Sequence, residues 1–121
     1  MITAANEISI AKVWGHAGPD FQAIAQRVQL FKQEWPAMEA EFDTAVRNRE
    51  SAALARAAHK LRTLLRGLGL RCAELAEKME HHADAADLDL AVVLLPFLKR
   101  QVSNGIRTLE HMVASGSDDA Q

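Results

Sequence analysis

From Leu54 to Leu68 the apolar residues Leu54, Ala57, Ala58, Leu61, Leu64, Leu65 and Leu68 recur at intervals of three and four. At about 100° per residue that spacing gathers them on one stripe of an α-helix, which becomes its inward face. His59 falls roughly 160° from the centre of the stripe at about 3.6 residues per turn, so it is expected to point at solvent. Arg56, Arg62, Thr63 and Arg66 stand three, three, four and seven residues from it, the intervals that bring helical side chains together. The pattern predicts an exposed imidazole ringed by guanidinium groups.

The rest of the chain repeats the helical period. Gly18-Pro19-Asp20 resets it, since proline suits a first helical turn and an acid complements the positive helix end. Phe21, Ile24, Ala25, Val28, Phe31 and Trp35 then form a stripe, continued after Pro36 by Met38, Phe42, Ala45 and Val46. Pro36 marks either a kink or the start of a second helix. Asn48 is the expected stop and Ser51 the expected N-cap of the helix carrying His59. Gly67 and Gly69 close that helix. From Leu70 a further helix is expected, with Cys72, Leu75, Ala76, Met79 and Ala83 inward, ending in the polar run 81–87. The last helix shows its stripe from Leu94 or Leu95 through Leu98, Val102, Ile106, Leu109 and Val113, with Pro96 either a kink or a first-turn residue. Ile8, Ile10, Val13 and Trp14 suggest a short helix within residues 1–17, lying across one end.

With 121 residues, 49% of them apolar, there is material for one core and not for two. The expected fold is all-α: an antiparallel, up-down four-helix bundle over residues 1–113 with an additional short N-terminal helix, followed by a flexible polar tail at 114–121. Cys72 is the single cysteine, so an internal disulfide is excluded and a reducing compartment is the simpler expectation. The first residues lack a basic start before an apolar core, and no stretch approaches the roughly 20 apolar residues of a membrane span. A cytoplasmic monomer is expected.

Charge is segregated along the chain. Residues 51–73 hold Arg56, Lys60, Arg62, Arg66 and Arg71 and no acid, whereas the whole chain has 14 Lys plus Arg against 16 Asp plus Glu. The net charge of −2 thus divides into +5 on this stretch and −7 elsewhere. A basic patch on a slightly acidic protein points to a small anionic ligand or an acidic partner surface.

Residues 31–80 resemble the histidine-containing phosphotransfer (HPt) domains of bacterial multistep phosphorelays, through Ala58-His59-Lys60-Leu61-Arg62 and the helix that follows. The resemblance implies that His59 is the phospho-acceptor and that Arg62, where the family usually has lysine, helps to hold the phosphoryl group. Thr63 and Arg66 stand where the family commonly has glycine and a second small residue. Thr63 is expected to hinder approach or to offer its hydroxyl to a phosphoryl oxygen, and Arg66 to add charge. The resemblance implies as partners response-regulator receiver domains and a hybrid sensor histidine kinase; the net charge of −2 with no recognised binding motif argues against nucleic acid, and the absence of a long apolar stretch against a membrane.

The chemistry fits on its own terms. Imidazole side chains ordinarily titrate near pH 6.5, so near neutrality a large share carries a lone pair able to attack phosphorus. Phosphoryl transfer asks the protein for positioning and for cations beside the equatorial oxygens, which a rigid helix with Arg56, Lys60, Arg62 and Arg66 supplies. No carboxylate cluster for Mg²⁺ accompanies His59, so no cofactor is expected on this chain and Mg²⁺ is expected on the partner receiver domain. The chain would then be a carrier without turnover of its own. A docking module that binds a receiver or kinase without accepting phosphate is the alternative.

Glu77, His81, His82 and Asp84 have partial metal-ligand spacing, but adjacent histidines point in different directions and a helix end is a usual place for them. No metal site is expected there. Cys72, Trp14 and Trp35 read as core residues, and His16 and His111 as incidental.

Overall fold

A computed structural model describes residues 20–119, with the side chains of residues 116–119 left aside. Among these residues there are four helices and no strand: α1 (Phe21–Arg47), α2 (Ser51–Gly67), α3 (Ala73–Asp84) and α4 (Leu88–Asp119). The short helix expected within residues 1–17 lies outside the described residues.

Each helix begins and ends for local reasons. The Asp20 carboxylate caps α1 by accepting from the amides of Gln22 and Ala23 at 3.1 and 3.2 Å. Ser51 is not the N-cap expected of it. Glu50 takes that place, extended and without a side-chain bond, because Arg49 and Glu50 are used to terminate α1. All three connections use one device: a left-handed residue follows the C-cap, and paired 6→1 and 5→2 hydrogen bonds fold the chain back. Glu50 donates to Ala45 and Arg49 to Val46, Leu70 to Leu65 and Gly69 to Arg66, Asp87 to His82 and Ala86 to Ala83. The left-handed residues are Arg49, Gly69 and Ala86, with φ of 51°, 75° and 60°.

Only the middle one is glycine, and a side chain in this region costs about 1 kcal/mol relative to glycine. Ala86→Gly is therefore expected to raise stability by about 0.5–1 kcal/mol despite the entropy glycine adds to the unfolded chain, read as a higher denaturation midpoint. Gly69→Ala is expected to move it the other way.

The buried face of α1 runs Ile24, Val28, Phe31, Met38, Phe42 and Ala45, with Trp35 half-buried and stacked on Phe31 at 5.5 Å between ring centroids. The stripe passes straight through Pro36, so α1 is one helix. Pro36 is exposed, and the carbonyl it leaves without a partner belongs to the exposed Lys32, where water can reach it. Pro96 likewise lies on the exposed side well inside α4 and does not start it. The α4 stripe begins earlier than expected, at Leu88 and Ala91, and continues through Leu95, Leu98, Val102, Ile106 and Leu109. Residues 114–119, expected as a tail, continue the helix.

The helix α1 packs on α2 and α4, and α3 packs on the same two, so the four close into a ring around one core. Leu54, Ala58, Leu61 and Leu65 of α2 are wholly buried in it, together with Ala76 and Met79 of α3. Rim ion pairs join Lys32 to Glu110 at 2.6 Å and Lys99 to Asp43 at 2.7 Å. Arg27 donates to the carbonyl of Gly67 at 2.9 Å, a cation at the negative end of α2. No described helix is long and apolar enough to cross a membrane.

Candidate functional site

His59 sits on the outer face of α2, directly opposite the core stripe, with its side chain 56% exposed. Burial of Leu54, Ala58, Leu61 and Leu65 fixes the rotation of the helix and so presents the imidazole. The cations around it divide into two groups. Arg62 and Arg66 lean across the seam to α3, while Arg56 and Lys60 turn toward α1.

Across the seam the charges form a ladder. The Arg66 guanidinium meets Glu77 Oε1 at 2.8 Å, and Arg62 Nη1 lies 3.8 Å from Glu77 Oε2. Arg62 Nε is 3.3 Å from Glu80 Oε1, and Glu80 Oε2 is 2.9 Å from His59 Nδ1. Arg62 Nη2 also reaches His59 Nδ1, at 2.7 Å. The contact of Arg62 Nε with Glu80 is charge attraction alone, because that buried N–H makes no hydrogen bond. Arg62 and Glu80 are each 20% exposed, which places the ladder's inner end in partial shelter. Nε2 of His59 has no hydrogen-bond partner among the described residues.

Of the guanidinium groups expected around the imidazole, those of Arg62 and Arg66 are matched by the carboxylates of Glu77 and Glu80. Glu80 was missed, and Glu77 was considered only as a metal ligand. Their signal lay in Glu74, Glu77 and Glu80 recurring every three residues in the helix that follows the acid-free stretch. Thr63 is exposed, and its hydroxyl donates to the His59 carbonyl at 3.1 Å, so its hydrogen is spent on its own helix and does not face the ring.

Arg56 and Lys60 make no ion pair among the described residues. They line an open groove of about 430 Å³ between α1 and α2, shared with Glu41, Thr44 and Glu50. On the same seam, nearer the other end, Leu30 is 58% exposed and lines a second groove with Thr63 and Gly67, leaving apolar surface there.

Among the described residues no three His, Cys, Asp or Glu side chains are grouped to hold a metal ion. Of the four weighed for that role, Glu77 pairs with Arg66, and His82 faces Asp87 at 3.6 Å. Cys72 is buried at the entry to α3, and His111 is exposed on α4; Trp14 and His16 lie outside the described residues. Comparison with protein families, with curated proteins and with solved structures returns no match.

Proposed function

We propose that the chain is a phosphorelay intermediate of the HPt kind, which accepts a phosphoryl group on His59 and passes it to the aspartate of a response-regulator receiver domain. The observation that carries this reading is the ring itself. It stands clear of the core on a rigid helix, its Nδ1 engaged by Glu80 of α3 and Arg62 of α2 and its Nε2 without a hydrogen-bond partner among the described residues. Attack at Nε2 needs no movement of the backbone, and Arg62 stands beside the ring as a counter-charge for the equatorial oxygens, with Lys60 and Arg56 on the side that faces α1.

The same reading includes an antiparallel bundle. Its support is the order of the cross-helix pairs: Lys32 with Glu110 and Asp43 with Lys99, then Arg66 with Glu77 and His59 with Glu80, each descending as its partner ascends. A reducing, cytoplasmic setting accompanies it, in keeping with the single buried thiol. The partner would bring the Mg²⁺ and the acceptor aspartate and would dock over the Leu30 surface and the Arg56–Lys60 groove. The chain itself turns nothing over.

One observation favours the alternative of a docking module that never carries phosphate. Arg62 and Arg66 are already paired with Glu77 and Glu80, which lowers the positive field a phosphoryl group would meet. The two separate on mixing the protein with a phosphorylated receiver domain. An acid-labile, base-stable label is expected on the wild type and not on His59→Gln. Binding without label overturns the carrier reading and leaves the docking module.

A further inference from the structure

The first half of α4 carries two apolar faces, and the core uses only one of them. Leu88, Ala91, Leu95 and Leu98 are buried where α4 packs on α1 and α3. Leu90, Val93 and Phe97, spaced by three and four residues, line a second stripe and are 48%, 70% and 46% exposed. The fold described above makes no use of that stripe. A contiguous apolar strip on an otherwise charged surface marks a place where something binds.

Charge frames the strip unevenly. Asp89 lies at its N-terminal end and Arg100 at its C-terminal end, both exposed and on the same arc of about 100° as the apolar three. They stand three helical turns, or roughly 16 Å, apart along the axis, too far to pair within one chain. Arg100 makes no ion pair among the described residues, and Asp89 has the exposed Arg49 at 3.4 Å.

We infer that this face of α4 pairs with the same face of a second copy, the two helices antiparallel about a two-fold axis beside Val93. The strip is complementary to itself in that orientation. An axis midway between Leu90 and Phe97 sets each Leu90 against the other copy's Phe97 and brings the two Val93 side chains together. The midpoint of Asp89 and Arg100 lies one residue further on, about 1.5 Å, so the same axis sets each carboxylate beside the other copy's guanidinium. A parallel pairing would put acid on acid and base on base. A second copy is therefore the occupant that the pattern specifies, since it carries at each end the charge that the first lacks there.

Three apolar side chains fall well short of the roughly 800 Å² per partner of a stable complex, so the pair is reversible and the monomer expected from sequence is its dilute form. In the ring of helices α4 lies diagonally across from α2, so the pairing leaves both copies of His59 facing away from the contact. The association does not depend on whether His59 carries phosphate.

The experiment is sedimentation equilibrium of the full chain at low salt, over about 10 µM to 1 mM. The wild-type mass is expected to rise from one chain toward two across that range. Val93→Glu, which sets two like charges on the axis, is expected to stay at one chain throughout. Asp89→Arg and Arg100→Glu are each expected to weaken association about tenfold, because each puts like charges at both ends of the contact. An equimolar mixture of these two variants is expected to recover the wild-type strength, since every end then meets its opposite. A wild-type mass of one chain at the top of the range overturns the pairing. Association that survives Val93→Glu overturns this face as its seat, and a mixture no stronger than either variant alone overturns the antiparallel arrangement.

Discussion

Phe42→Ala is expected to remove about 3–5 kcal/mol of unfolding free energy, measured as a lower denaturation midpoint at unchanged slope. Phe42 is 0% exposed and stands on the α1 stripe between Met38 and Ala45, so truncation leaves a void that neighbours in a ring of four helices fill only in part. A domain of this size holds about 5–15 kcal/mol in all, so the variant would keep only part of it. Phe97 is the control: at 46% exposed on α4, its truncation is expected to cost less than about 1 kcal/mol. Equal effects at the two positions would mean that the helices do not share the core described above.

Gly105→Leu is expected to cost about 3 kcal/mol or to prevent folding. A Cβ at Gly105 would lie 3.0 and 3.1 Å from the two methyl carbons of Leu70, itself 2% exposed in the connection from α2 to α3. That connection is tied on both sides, by the Leu70 to Leu65 hydrogen bond and by its entry into α3, so the leucine has little room to retreat. A second change tests the cause. Adding Leu70→Ala to Gly105→Leu is expected to recover part of the loss, a coupling that appears only between residues in contact. Additive costs would show that Gly105 is there for some reason other than the close approach of Leu70.

The fold was largely legible because four stripes of helical period leave a chain few other ways to bury its apolar surface. All of the α2 stripe is buried or half-buried where expected. The two prolines were read less well, and for the same reason. Proline's cost depends on whether the freed carbonyl is sheltered, and that is a property of the face it lands on. Both Pro36 and Pro96 fall on exposed faces, and the seven-residue rhythm of Ile24, Phe31, Met38 and Ala45 that runs past Pro36 was the better guide. The early start of α4 was hidden because Leu88 and Ala91 are followed by the exposed Val93 and the half-buried Leu94, which blur the period.

The site was legible on one helix only. His59, Arg62 and Arg66 follow from spacing along α2, but Glu77 and Glu80 meet them through the register of α2 against α3, which periodicity within a helix does not give. Charge counted along the chain therefore overstated the positive field at the imidazole, since the neutralising carboxylates belong to the next element.

Cys72 carries the chain's single sulfhydryl, and only 6% of it is open to water. A maleimide reagent applied to the folded protein will consequently find little to react with, and a cysteine introduced at any outward-facing position becomes the preferred attachment point for a fluorophore or spin label. With one such position on α2 and one on α3, their separation can then be followed through unfolding without first redesigning the native thiol.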